Sequence, residues 1–194
     1  GGQVVRTPST RSAILSDLTG AEVVVKFENL QFTASFKDRG AANRLHLLGD
    51  DERSRGIVAA SAGNHAQGVA HHAQRLGIPA TIVMPSTAAF TKVANTEALG
   101  ATVVQAGVSY ADAATLAETL AAEAGLTLVH PYDDPAVIAR VVRALLAELA
   151  AGVDTGPALR GGVRLLGVGV SGLADWVQDD LFAGLAEDTP EDAR

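Results

Sequence analysis

The chain has 194 residues, a formal net charge of −7 and no cysteine. That length suits one domain of ordinary size, or one domain plus a piece of another. The acidic balance argues against a general binder of nucleic acid or anionic membranes, and the lack of cysteine excludes a disulfide framework, a thiolate metal site and a cysteine nucleophile. No stretch approaches the roughly 18 apolar residues of a membrane span, and no signal peptide is visible. A soluble cytoplasmic protein is the expectation. Met84 is the only methionine, so the chain does not open on an initiator, and Gly1-Gly2 reads as a tag remnant or a fragment edge.

Residues 4–20 read as a lead-in with a short amphipathic helix over Arg11–Leu18, closed by Gly20. Glu22–Phe27 is β-branched and apolar and predicts a strand, followed by a polar turn over Glu28–Thr33. A helix opened by Ser35 carries Ala41, Leu45 and Leu48 at helical spacing and stops near Gly49-Asp50. A regular alternation follows. Ile57–Ala60 is a strand, Asn64–Leu76 a helix ended by Gly77, and Ala80–Met84 a strand. Thr91–Leu99 is a helix, Thr102–Gln105 a strand, Tyr110–Ala124 a helix, Leu126–Val129 a strand, and a further helix starts near Ala136. Short continuous apolar strands between amphipathic helices predict an α/β fold, an open parallel sheet of about four strands with helices on both faces. Ligands of such sheets sit beyond the carboxyl ends of the strands, here at 61–65, 85–90, 106–110 and 130–134.

Two of the connecting stretches carry chemistry. In Thr33–Gly40, reading TASFKDRG, Ser35 and Asp38 are spaced as an S-x-x-D capping box. Lys37 then falls in the first turn, where the positive end of the helix dipole disfavours an ammonium and lowers its pKa. A neutral amine is what a Schiff-base lysine needs to attack an aldehyde; the alternative is a solvated first-turn charge. The chain has three lysines, Lys26, Lys37 and Lys92, against twelve arginines. The second stretch, SAGNHAQG at 61–68, is a strand-to-helix turn. Gly63 there allows close backbone approach, and the N–H groups of the helix start can receive a carboxylate or phosphate. Asn64 adds an amide and His65 a ring. The alternative is an ordinary turn with a helix cap.

Taken in order and spacing, KFENLQFTASFKDRGA (26–41), AASAGNHAQGVA (59–70), VMPSTAAFTKVANTEALGA (83–101) and VHPYDDPAVIA (129–139) resemble the pyridoxal-phosphate-dependent threonine ammonia-lyases, also called threonine dehydratases, of the tryptophan-synthase-β-like fold. The resemblance covers residues 4–139. It implies pyridoxal 5′-phosphate as cofactor and Lys37 as the Schiff-base lysine and general base. It also implies Phe36 beside the cofactor ring and Asn64 on the cofactor's phenolic oxygen. Ser61, Gly63, Asn64 and His65 become the loop that holds the substrate carboxylate. The implied reaction is α,β-elimination of L-threonine or L-serine to a 2-oxo acid and ammonia, with the cofactor as electron sink.

The family continues past HPYDDP into a large second domain with a glycine-rich phosphate loop. Here Ala139-Arg140-Val141 follows, and no run of three glycines occurs. A truncated enzyme domain is therefore expected over 1–140, with weak cofactor binding and a tendency to form homo-oligomers. Residues 143–182 resemble the end of a Y-family DNA polymerase of the DNA polymerase IV type. They comprise an Ala/Leu helix over Val141–Ala150, a connector at 152–162, a strand at Val163–Val170 and the pentapeptide QDDLF. By that resemblance Gln178, Leu181 and Phe182 are anchors for a sliding clamp, with Asp179 and Asp180 solvated between them. The pentapeptide alone also fits a surface helix end. The expected division is 1–140, a little-finger-like fragment over 141–182 and a disordered acidic tail over 183–194. An interaction fragment that binds a clamp, or an inactive fusion remnant, is the competing function.

The remaining candidates have plainer readings. His71 and His72 are adjacent on a helix and point about 100° apart, which predicts that they cannot chelate one metal as an i, i+4 pair can. His130 sits at a loop edge. Asp133 and Asp134 fit a cap for the following helix. Trp176 fits an anchor for the C-terminal segment, and no nucleophile elbow G-x-S-x-G is present.

Overall fold

The computed structural model describes residues 3–150. The predicted connector at 152–162, the strand at 163–170, the clamp anchors Gln178, Leu181 and Phe182, Trp176 and the acidic tail lie outside the described residues.

Four strands form one parallel sheet in the order β5-β4-β3-β6: β3 (Ile57–Ala60), β4 (Ala80–Met84), β5 (Thr102–Gln105) and β6 (Thr127–Leu128). The register pairs Ile57 with Ala80, Thr81 with Thr102 and Ile57 with Thr127. The central strand β3 is IVAA, and all four residues are buried. A strand covered on both faces has no use for polar alternation. Its neighbours sort by parity. Ile57, Ala59, Ile82 and Met84 join one apolar layer, and Val58, Ala60 and Val83 join the other. Full burial of each large side chain among them contributes about 1.5–3 kcal/mol.

Helices α4 (Asn64–Leu76) and α5 (Phe90–Ala98) link β3 to β4 and β4 to β5. Helix α6 (Tyr110–Ala124) then carries the chain back across the sheet to place β6 beside β3. Ala113 and Ala117 of α6 pack on Val58, Ala60 and Val83, whereas Ala66, Val69, Ala70 and Ala73 of α4 pack on the opposite layer. Helices thus cover both faces, as the sequence predicts. The return crossing makes the turns after β3 and β6, at 61–65 and 129–134, neighbours at the carboxyl edge. This is where ligands of open α/β sheets bind.

Boundaries follow the local chemistry. Ser12 caps α1 (Ala13–Thr19) by accepting from Leu15 N, and Gly20 closes it in the left-handed region at φ 68°. In α6 the cap is reciprocal: Ser109 Oγ accepts from Asp112 N, and Asp112 accepts from Ser109 N. A two-stranded antiparallel ribbon, β1 (Ser9–Arg11) with β2 (Val24–Lys26), flanks the sheet domain in the chain order. The predicted helix after Ser35 is two helices, α2 (Lys37–His46) and α3 (Asp50–Arg55). The sequence carries a signal for α3 in its acidic first turn, Asp50-Asp51-Glu52, and its basic last turn with Arg53 and Arg55. Helix α7 runs unbroken over Pro135–Ala150, so the helix predicted near Ala136 and the Ala/Leu helix predicted from Val141 are one element. Asp134 caps it as expected, its Oδ1 accepting from Ala136 N at 3.0 Å and Val137 N at 3.1 Å, with Pro135 in the first position. Among the described residues no helix is long and apolar enough to cross a membrane.

Helix α2 lies on α4, and the small buried residues Ala41 of α2 and Ala66 and Ala70 of α4 share one apolar layer. The tightest approach is at Gly68. A Cβ there would stand 3.3 Å from the backbone carbon and oxygen of Lys37 and 3.4 Å from Asp38 N. On its other side α2 is tied to the lead-in. Arg39 Nε and Nη2 donate to the two carboxylate oxygens of Glu28 at 2.7 and 2.8 Å, and Thr7 Oγ1 donates to the same carboxylate. Gln31 bridges Glu28 to the backbone of Val5.

Two outcomes follow from these contacts. Gly68→Ala sets a methyl against the backbone of Lys37 and Asp38, which has no rotamer to escape through and must shift by a few tenths of an ångström. We expect a loss of about 1–3 kcal/mol in unfolding free energy by chemical denaturation, larger than for Gly40→Ala, where an added Cβ meets nothing within 4 Å. The Arg39 guanidinium, with Thr7 and Gln31, holds the Glu28 carboxyl down from 4.5 to about 2. Its pKa is depressed on folding, so the stabilisation is present above the ordinary carboxylate range and is lost as pH falls toward 2. Glu28→Gln should flatten that acid limb in a plot of thermal midpoint against pH and lower the midpoint at neutral pH.

Candidate active site

Lys37 is the first residue of α2. The turn that delivers it is strained: Ala34 has φ +55°, the one positive φ at a non-glycine position among the described residues. A side chain in the left-handed region costs of order 1–3 kcal/mol and persists only where neighbours hold it. Here Ala34 N donates to Gln31 O at 3.0 Å, and Thr33 N donates to Asp38 Oδ2 at 3.1 Å. Thr33 Oγ1 donates to the same oxygen.

The capping box expected from Ser35 and Asp38 does not form. Ser35 Oγ accepts from Lys37 N at 3.2 Å, but the Asp38 carboxylate turns inward, to Thr33 with one oxygen and to His72 Nε2 with the other at 2.9 Å. Asp38 is fully buried and His72 nearly so. Burial opposes the Asp38 charge, yet the hydrogen bonds from His72 and Thr33 outweigh it and hold its pKa below the ordinary value. Burial makes this carboxylate expensive, and removing a partner that offsets a buried charge costs about 3–5 kcal/mol.

Lys37 Nζ donates to Pro131 O at 2.8 Å, lies 3.8 Å from the Tyr132 ring centroid and 5.2 Å from that of Phe36. Its pKa is lowered, and the cause is desolvation by burial. The sequence predicts the direction from the helix dipole; the structure adds burial, with Pro131 and Tyr132 of the HPYDD loop lying over the amine, which no local spacing reveals. A cleft of about 80 Å³ opens here, lined by Lys37, Arg44, His65, His130, Tyr132 and Asp134 among others. Arg44 Nε stands 2.7 Å from Asp134 Oδ2 as a half-buried ion pair without hydrogen-bond alignment. His130 Nδ1 accepts from Tyr132 N and Asp133 N, which folds the loop over the lysine.

Of the predicted site residues, the cleft joins Lys37 and His65. Ser61, Gly63, Asn64 and Phe36 stand outside its lining. Asn64 is exposed at the start of α4, Phe36 is exposed, and Ser61 Oγ accepts from Gly63 N at 3.1 Å. A Cβ at Gly63 would meet nothing within 4 Å, so the loop presents open backbone. The His65 ring lines the cleft, and its Nε2 donates to Val129 O at 3.0 Å, just past the end of β6. Arg44, Tyr132 and Asp134 are cleft residues that the role assignments miss. The signal for them is only that 130–134 is a loop at the carboxyl edge.

Desolvation holds the His65 pKa down to about 4, with Lys37 and His130 opposing its charge as well. The unfolded chain takes up this proton near 6.5, so stability is lost as pH falls between 6.5 and 4. A ring titration followed by NMR should place the His65 midpoint near 4, and the signal should stay that of a neutral imidazole at pH 5.5.

A family model described as pyridoxal-phosphate-dependent enzyme matches residues 2–175. The chain is 52% identical over 136 residues to L-threonine ammonia-lyase of Thermotoga maritima, covering 70% of this chain and 34% of that protein. It is 50% identical over 135 residues to a catabolic L-threonine dehydratase of Staphylococcus aureus, covering 69% of this chain and 39% of that protein. Among solved structures, the processed form of threonine deaminase isoform 2 from Solanum lycopersicum superposes with a TM-score of 0.65 at 42% identity, covering 70% and 37% of the two chains. Maize serine racemase superposes with a TM-score of 0.65 at 33% identity, covering 78% and 46%. The chain thus spans between a third and two fifths of the length of these curated relatives. The family match continues past residue 140 to residue 175, through most of the stretch that resembles a polymerase end, and none of these relatives supports the polymerase resemblance. A desolvated lysine at a helix start, the SAGNH turn beside it and a match over most of the length lead to one conclusion: this chain belongs to the pyridoxal-phosphate-dependent enzyme family.

Proposed function

We propose that the chain is the lysine-bearing part of a pyridoxal-phosphate-dependent ammonia-lyase acting on L-threonine or L-serine by α,β-elimination. The observation that carries this reading is Lys37: an amine with a lowered pKa, at a helix start, in the cleft at the carboxyl edge of β3 and β6. The residues present fit the aldehyde end of the cofactor. Lys37 offers an amine whose pKa burial lowers, Phe36 an exposed ring face, Asn64 an exposed amide, and Gly63 open backbone at the start of α4. When bound, pyridoxal phosphate supplies an electron sink for the charge that develops at the substrate α-carbon.

The chain's own groups do the rest in this reading. Lys37 Nζ takes the α-proton, which a desolvated amine does more readily than a solvated ammonium. Ser61, Gly63, Asn64 and the backbone N–H of His65 receive the substrate carboxylate at the helix start, fixing the α-carbon over the amine. The His65 ring holds the loop against β6 through Val129 O. The β-hydroxyl leaves as water, and a water is consumed when ammonia is released, so the net products are a 2-oxo acid and ammonia. The sliding-clamp reading of Gln178, Leu181 and Phe182 and the reading as an inactive remnant remain the competitors; nothing in the described residues favours either.

The test is spectroscopic and chemical. The 194-residue chain with added pyridoxal phosphate should show the visible band of lysine-bound cofactor. Borohydride reduction should then fix the cofactor on the Lys37 peptide, as read by mass spectrometry. Lys37→Ala should lose both. A wild-type chain that shows neither, with its fold intact by circular dichroism, overturns the proposal.

A further inference from the structure

Beneath the turn that holds Lys37, and outside the lining of its cleft, three metal-ligating side chains converge. One ring nitrogen each from His71 and His72 and a carboxylate oxygen of Asp38 lie within 4.8 Å of one another. The helix geometry that predicts divergence for adjacent histidines describes only where their Cβ atoms point. The rings themselves meet edge to face, with centroids 5.0 Å apart and planes at 83°.

The direct hydrogen bond from His72 to Asp38 accounts for those two groups and leaves the third unexplained. His71 Nε2 is a buried polar atom with no hydrogen-bond partner. Its ring stacks on Phe32 at 5.0 Å and 27°, and Phe32 also meets the His72 ring edge to face and the Arg75 guanidinium. A buried imidazole nitrogen that is fixed in place and unpartnered is an unused ligand. The carboxylate is oriented as well, because Thr33 occupies Oδ2 through its N–H and hydroxyl and leaves Oδ1 toward the histidines. Outer hydrogen bonds of this kind aim metal ligands.

We propose that Asp38, His71 and His72 form a site for a zinc-class divalent ion, with water completing the coordination. Ligands about 2.0–2.2 Å from such an ion stand between 3 and 4 Å apart. The Asp38–His72 pair is already near that spacing, and His71 needs only a modest side-chain shift. Two imidazoles and one carboxylate suit Zn²⁺, Co²⁺ or Ni²⁺ over Mg²⁺ and Ca²⁺, which prefer all-oxygen shells. The ion takes the place of the proton that His72 Nε2 shares with Asp38 Oδ1. The ion clamps α4 to the first turn of α2, one residue from Lys37, and does not depend on the ammonia-lyase reading.

The experiment is a CoCl2 titration of the full 194-residue chain without cofactor, followed by ZnCl2 displacement. One equivalent of Co²⁺ should develop visible d–d bands of a four-coordinate site, Zn²⁺ should abolish them, and Zn²⁺ should raise the thermal midpoint. His71→Phe keeps the ring stacked on Phe32, and His72→Gln keeps a donor for Asp38, so each removes a ligand with little change in packing. Both should weaken Co²⁺ binding by about 10-fold or more, whereas His130→Ala should leave it unchanged. If one variant fails to fold in metal-free buffer, the other decides. Absence of the bands at one equivalent, or bands that survive the folded variant, overturns the site.

Discussion

The structure depends on a carboxylate placed where a carboxylate is expensive. Asp38 is wholly buried under the first turn of α2, and its two oxygens are taken by Thr33 on one side and His72 on the other. Its contacts set three things together. They hold the Thr33–Ser35 turn, including Ala34 at positive φ. They fix α4 against α2 at the height of Gly68, where the backbones come within side-chain distance. They also fix the backbone of Lys37, the next residue up the chain. Strain at Ala34 and burial at Asp38 are each unfavourable alone, and they persist because the same hydrogen bonds serve both.

The amine that this turn presents is made useful by a different part of the chain. Burial under Pro131 and Tyr132 removes water from Nζ and lowers its pKa, and that loop arrives there because β6 returns to the near side of β3. His65 reinforces the junction by bonding Val129 O from the wall of the cleft. The division is physical. The start of α4 carries no side-chain cap, while burial holds the His65 pKa down to about 4 at the strand junction.

Much of the architecture is legible along the chain because each element is written in local terms. Burial on both faces makes β3 and β4 continuous apolar runs, and glycine after a helix admits the left-handed cap seen at Gly77 and Gly125. The limits of Asn64–Leu76, Thr102–Gln105 and Tyr110–Ala124 therefore coincide with prediction. The misses are where two local rules compete or where the partner is distant. Ser35 and Asp38 have capping-box spacing, but His72, 34 residues on, is the stronger partner for the carboxylate. Adjacent histidines diverge at Cβ, but side chains long enough to turn bring their rings together.

The sequence by itself determined the strand and helix pattern, the parallel sheet that the pattern demands, and a lysine at a helix start with a glycine turn at the carboxyl edge. Those follow from hydrophobic period, capping residues and composition, which act over a few residues. Only the tertiary structure decided which loop covers Lys37, that His65 bonds Val129 O, and that Asp38, His71 and His72 share one space. Each of these depends on strand order and on the close approach of α2 to α4. Such contacts join residues tens of positions apart, and no local spacing encodes them.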